Sequence, residues 1–194
     1  MRTPDDRYSG EREQFDLAIR LLGHQARTHI ITECTGFSPD RIRKIYATYF
    51  KYGRKKPVCR HRGKSPMSVE IFLKNARRQA ESSLLVHLLA AWGLLRIGAG
   101  LAAEAGPRGD RLAFGRRFCD AYEEFRRLHP EAVITFEQAW NLLAALTERR
   151  DLLLLDCGSC GTLYVQDALA LDRRRCPACR LTARPVPGGR PPAP

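Results

Sequence analysis

The chain has 194 residues, 44% hydrophobic, 28% charged and 8% aromatic, which supplies apolar material for one or two compact domains and excludes both a membrane protein and global disorder. Its 33 Lys and Arg against 21 Asp and Glu give a formal charge of +12, an excess that suits a polyanionic partner, nucleic acid first and an anionic membrane surface second. No apolar run approaches the ~20 residues of a spanning helix and MRTPDDRYSGERE lacks a signal-peptide core, so a cytoplasmic location is expected; in that reducing compartment seven cysteines point to metal ligation, since an odd number cannot pair fully within the chain.

From Glu11 to about His29, Phe15, Ala18, Ile19, Leu22 and Ala26 recur at three- and four-residue steps, the stripe of an amphipathic helix. Residues 26–50 then read as two short helices parted by Gly36. Ser38 caps the second through its side-chain oxygen, and Pro39 suits the first helical position because that N–H has no intrahelical partner. Ile42, Ile45, Tyr46 and Tyr49 supply the buried face of this helix, which should run to about Tyr52, while Arg41, Arg43 and Lys44 point elsewhere. Residues 51–66 hold two Gly, two Pro and seven Lys or Arg without an acid, the composition of an exposed basic linker.

A long helical pattern opens around Met67 and runs to about Gly98, with Phe72, Leu73, Ala76, Ala80, Leu84, His87, Leu88, Ala91, Trp92 and Leu95 as its apolar face. Such breadth predicts burial on more than one side. GAGLAAEAGPRGD reads as a turn region. A helix carrying Phe114, Phe118, Tyr122, Phe125 and Leu128 follows and stops at Pro130; the last carries Phe136, Ala139, Trp140, Leu143 and Leu146. At LLLLD, residues 152–156, the helical period ends, and strand-like pieces such as TLYV, residues 162–165, lie between cysteine pairs. The segment 183–194 holds five of the twelve prolines and no acid and reads as a disordered tail. The expected architecture is mainly α: a helical body over 1–150 containing a helix-turn-helix-like segment, a small four-cysteine, zinc-ribbon-like region over 151–182, and the tail.

Cys157 and Cys160, then Cys176 and Cys179 after fifteen intervening residues, form two C-x2-C knuckles. Such knuckles on a hairpin complete a tetrahedron of thiolates around one zinc ion, and four protein ligands leave no open position for a catalytic water. A structural metal that supplies folding energy is therefore expected. Cys34, Cys59 and Cys119 have no neighbouring thiol and read as small core or loop residues. Gly36, Phe37 and Ser38 fit the turn of a helix-turn-helix, whose second helix would lie in a major groove; the same pattern also fits an ordinary helical hairpin. Between Arg41 and Lys64 stand ten basic residues and no acid: Arg41, Arg43, Lys44, Lys51, Arg54, Lys55, Lys56, Arg60, Arg62 and Lys64. That density favours phosphate contact and a steep salt dependence. Arg173, Arg174 and Arg175 precede the second knuckle, with Arg180 and Arg184 after it; they can contact DNA, offset the charge of four thiolates, or do both. His24, His29, His61, His87 and His129 are scattered without metal-ligand spacing, His87 is expected to pack on an apolar helix face, and Glu123-Glu124 reads as a solvated face. No Walker loop, G-x-G-x-x-G or G-x-S-x-G occurs, so nothing points to an enzyme.

The RIRKIYATY helix, the central ESSLLVHLLAAWGLL stretch, FEQAWNLLAAL, and CGSC followed by CPAC, in that order, resemble the FlhC family over most of residues 11–180. FlhC is the subunit that works with FlhD in the bacterial flagellar master regulator. The resemblance implies a mainly helical fold, a zinc site at Cys157, Cys160, Cys176 and Cys179, a hetero-oligomer of four FlhD with two FlhC subunits, and a transcriptional activator that binds promoter DNA and assists RNA polymerase. Beside it stands a reading from another class: a zinc-ribbon interaction module binding RNA or an acidic protein partner.

Overall fold

The protein is described by a computed structural model over residues 4–52, 58, 63, 68–149, 151–171 and 175–182. Most of the predicted basic linker, including Cys59, and the predicted tail lie outside the described residues. The amino-terminal stripe forms α1 (Pro4–Gly23), which ends before the expected His29. Its close is of the Schellman type: the Ala26 N–H donates to the Leu21 carbonyl and the Gln25 N–H to that of Leu22, both at 3.0 Å, with Gln25 left-handed at φ +61°. Glutamine in a position usually given to glycine leaves no punctuation to read, so periodicity alone carries the helix too far.

α2 (Thr28–Thr35) ends at Gly36, whose N–H returns to the Thr32 carbonyl at 2.8 Å. The Ser38 hydroxyl then accepts from the Arg41 N–H at 3.3 Å, and Pro39 opens α3 (Pro39–Tyr46). A π-helical turn, Ala47–Lys51, continues it. The wider turn shifts later side chains by about one position, which moves the core contact from the expected Tyr49, 43% exposed, to Phe50, 4% exposed.

The single helix expected from Met67 to Gly98 is divided. α4 (Glu70–Leu73) and α5 (Ala76–Ala91) are separated by Asn75, an extended residue whose side chain accepts the Arg78 N–H at 2.9 Å and restarts the helix. β1 (Leu95–Ile97), at the end of the expected helix, then pairs antiparallel with β2 (Ala103–Ala105) in the expected turn region, Leu95 opposite Ala105. α6 (Arg111–Leu128) is capped by the Asp110 carboxylate, and α7 (Phe136–Ala144) by a reciprocal pair in which Thr135 accepts from the Gln138 N–H and Gln138 from the Thr135 N–H. β3 (Leu152–Asp156) and β4 (Leu163–Asp167) form an antiparallel ribbon with Leu154 opposite Val165, and α8 (Pro177–Thr182) follows.

The core lies among α1, α2, α5, α6 and α7. Phe118, Phe125 and Phe136 are fully buried there with Leu21, Leu22, Ile30 and Ile31, and Phe118 meets Trp140 and Phe136 edge-on at centroid distances of 4.9 and 5.1 Å. Leu152, Leu154 and Val165 of the ribbon belong to the same core. α5 departs from its expected apolar face: Gln79, Glu81, Ser82 and Ser83 are buried beside Leu85, Val86 and Leu89, while Ala80, His87 and Ala91 are exposed. The buried Glu81 carboxylate accepts from Arg77 Nε at 2.9 Å and from the Val133 N–H at 3.1 Å, as a buried charge must.

α1 and α6 are clasped by charge as well as by packing. Arg20 donates two bonds to Glu123, at 2.8 and 2.6 Å, and one to Asp120 at 2.6 Å, while His24 lies 2.7 Å from the same Glu123 carboxylate. Glu123, expected on a solvated face, is thus an inter-helix anchor, and Arg20 holds its carboxyl below the usual carboxylate range, His24 adding to the effect. Where α2 and α6 approach, Gly115 has no room for a side chain: a Cβ would stand 2.8 Å from Cys34 Cβ and 2.9 Å from Leu17 Cδ2.

Two outcomes follow from this packing. Gly115→Ala should lower unfolding free energy in a urea titration by about 1–3 kcal/mol through overpacking, whereas Gly10→Ala, in open space on α1, should raise it by about 0.5–1 kcal/mol. Because the folded Glu123 carboxyl titrates lower than its unfolded form, the stability it contributes is present at neutral pH and lost as pH falls through the acid range. Arg20→Ala should therefore lower stability by about 1 kcal/mol near pH 7, a half-exposed pair being screened by solvent, and the gap to wild type in thermal melts should shrink toward pH 3.

Candidate metal centre

The first knuckle is built by the β3–β4 hairpin. After Asp156, the Gly161 N–H donates to the Cys157 carbonyl at 2.8 Å and the Cys157 N–H to the Thr162 carbonyl at 3.1 Å, closing a turn that carries Cys157 and Cys160. Gly161 sits at φ +70°, where a side chain would strain the backbone, and this lets the chain re-enter the ribbon immediately after the second thiol. The second knuckle is a helix start. Cys176 stands before Pro177, the first residue of α8, its sulfur accepts the Cys179 N–H at 3.4 Å, and its carbonyl accepts the Arg180 N–H at 3.0 Å. One backbone bond joins the two turns, from the Cys176 N–H to Cys157 Sγ at 3.2 Å.

All four sulfurs lie within 4.8 Å of one another, and Cys160 Sγ is 3.7 Å from Cys176 Sγ. A disulfide would need about 2.05 Å, whereas a tetrahedron with metal–sulfur bonds of ~2.3 Å has edges of ~3.8 Å. The residues present therefore fit a metal ion: Cys157, Cys160, Cys176 and Cys179 are positioned to bind one. Cys157 and Cys176 are buried and Cys160 is exposed, with Tyr164, 1% exposed, packed beside the buried pair.

The thiols influence one another's protons. The Cys176 N–H pulls the Cys157 thiol down to about 6, and Thr162 lowers Cys160. Cys179 is pushed the other way, to about 12, by its neighbours Cys160 and Cys176. Four thiolates at these distances repel one another, so protons stay on part of the cluster until a cation replaces them.

Gln79 links the cluster to the helical body. Its amide nitrogen donates to the Val165 carbonyl at 2.8 Å, and its oxygen accepts from Arg180 on α8. Arg180 is therefore engaged in holding the second knuckle to α5. Ser83, one turn on, accepts the Val165 N–H at 3.1 Å, and His87, a turn further, meets the Leu163 carbonyl at 3.0 Å. Sequence reasoning misses all three as anchors and expects His87 on an apolar face; the legible signal is polar residues recurring at i, i+4 and i+8, which fall on one side of a helix.

The basic residues divide by position. Arg41, Arg43, Lys44 and Lys51 are exposed on α3 and the π turn; the Arg41 guanidinium lies 4.1 Å over the Phe37 ring and Arg43 pairs with Asp40 at 2.5 Å. Arg175 is exposed next to Cys176. Arg54, Lys55, Lys56, Arg60, Arg62, Lys64, Arg173 and Arg174 lie outside the described residues. Cys34 and Cys119 are core thiols, pushed up to about 12 by burial. No helix among the described residues is long and apolar enough to cross a membrane. No protein-family model matches the chain, and no curated protein matches it either.

Serine at Cys157, Cys160, Cys176 or Cys179 should abolish stoichiometric metal in elemental analysis and raise amide exchange across the described parts of 151–182, whereas Cys34→Ala should retain the metal. Wild-type protein purified without chelator and found free of metal would contradict the assignment.

Proposed function

We propose that the chain is a DNA-binding subunit of a transcriptional activator whose carboxy-terminal cysteines hold one structural zinc ion. The metal part is supported by four soft sulfur donors at tetrahedral spacing with no open position, the set that suits zinc as a structural ion. The observation that carries the DNA part is the outward face of α3: Arg41, Arg43 and Lys44 are all exposed, Ile42 and Ile45 anchor the opposite face, and Lys51 adds a charge at the end of the π turn. α2, the turn at Gly36 and α3 serve in this reading as a helix-turn-helix, with α3 lying in the major groove and the cations neutralising phosphates. Arg175, exposed beside the second knuckle, adds a cation at the metal-binding region.

The FlhC resemblance extends the proposal to the assembly. The chain works in a hetero-oligomer with an FlhD-type subunit, four to two in the family pattern, on flagellar-type promoters and with RNA polymerase. Zinc does no chemistry on the nucleic acid in this scheme; it shapes the turns that carry Cys157 and Cys176. A second reading draws on Leu169, Leu171 and Leu181, exposed by 86%, 102% and 73%, which suit a docking platform for a protein partner.

A gel shift separates the readings, using the full chain alone and with an FlhD-type subunit against promoter duplex, scrambled duplex and single-stranded RNA. The expected result is a preference for promoter duplex that weakens steeply with salt. Changing Arg41, Arg43 and Lys44 together to Ala should reduce affinity and lower the log–log salt slope by about one for each phosphate left without its cation. Indifference to duplex DNA at low ionic strength would refute the DNA-binding reading, and elemental analysis finding iron would refute zinc.

A further inference from the structure

We infer that Arg41 is the residue by which α3 chooses sequence: its guanidinium reads the major-groove edge of a guanine, and Phe37 is the positioning residue that holds it there. This rests on the DNA-binding reading proposed for the chain. The described cations of this face are not equivalent. Arg43 is turned back onto Asp40 at 2.5 Å, three residues earlier on the same helix. Lys51, the last residue of the π turn, stands over the Tyr52 ring at 4.9 Å. Lys44 is an exposed ammonium, a point charge that suits a phosphate but lacks a planar fork.

Arg41 alone combines a fork with a rigid support. Its guanidinium carbon lies 4.1 Å from the centroid of Phe37, and Phe37 is 5% exposed, so the ring is held by the core. A guanidinium held over an aromatic ring still has its N–H groups to donate, and two of them match the O6 and N7 acceptors of guanine. Its backbone is held too, because the Arg41 N–H donates to the Ser38 hydroxyl at 3.3 Å. Arg41 is in the first turn of α3, the end of a recognition helix that meets base edges when the helix enters the groove.

The test is selection of duplexes from a randomised library by the full chain together with an FlhD-type subunit at low ionic strength, followed by sequencing of the retained fraction. Wild type should enrich a motif containing a fixed guanine. Arg41→Ala and Arg41→Lys should keep the rest of the motif, lose the preference at that base pair, and bind the wild-type motif roughly ten- to a hundredfold more weakly. Lys44→Ala should weaken all sequences alike and leave the motif unchanged. Phe37→Leu, which keeps an apolar side chain in the turn but removes the ring, should blur the same guanine; if its circular-dichroism melt shows loss of folding, Arg41→Lys carries the test. An unchanged motif in Arg41→Ala, or duplex binding without sequence preference in wild type, overturns the role of Arg41 and leaves the DNA-binding reading standing. Failure of wild type to retain any duplex overturns both.

Discussion

A two-stranded ribbon is marginal in water because half its backbone groups face outward and it has little core of its own. Here the outer edge of β4 is met by a helix. Gln79 and Ser83 on α5 exchange hydrogen bonds with the backbone of Val165, His87 reaches the Leu163 carbonyl, and Val165 itself is fully buried. This contact fixes where the hairpin stands, and the hairpin fixes Cys157 and Cys160. Through Arg180 the same Gln79 also restrains α8 and with it Cys176 and Cys179. The metal centre thus depends on a polar stripe in the middle of a helix, at positions where an apolar residue would pack but would leave backbone groups unsatisfied.

The centre contributes in the other direction. Without a cation, the sulfurs crowd four acidic groups together within 4.8 Å of one another, and the upward displacement of Cys179 by Cys160 and Cys176 expresses that conflict. A bound cation removes it and becomes part of the folding free energy of the segment that carries the cysteines. The remaining electrostatics are organised by pairing: Arg20, Arg77 and Arg108 engage carboxylates across helices or turns, while Arg41, Lys44 and Lys51 have no ion pair among the described residues. Positive charge is left accessible on α3, on the helix that follows the Gly36 turn.

Where the sequence was readable, a local rule was strong. Ser38-Pro39, the aromatic steps of α6, the apolar steps of α7 and the two C-x2-C knuckles each state their structure within a few residues. Reading failed where the determining contact was distant or the local residue atypical. Gln25 takes a left-handed turn without being glycine, the π turn after Tyr46 exchanges Tyr49 for Phe50, and Asn75 restarts a helix inside an apolar pattern that looks continuous. Buried Gln79, Glu81 and Ser83 look like defects in an apolar face until the strand edge and the Val133 N–H that they serve are in view.

Taken alone, the amino-acid order determined a mainly helical chain, four thiols paired at metal-ligand spacing, and a run of cations on and after α3, because helix periodicity, capping and knuckle spacing act over a turn or two of backbone. Only the tertiary structure decided that the sulfurs converge to within 4.8 Å, that α5 seals the ribbon edge, and that Arg41 rests on a core aromatic ring while Arg43 folds back on Asp40. Those outcomes depend on which surfaces meet after the chain closes: a hydrogen bond between residues 86 positions apart has no local pattern to announce it.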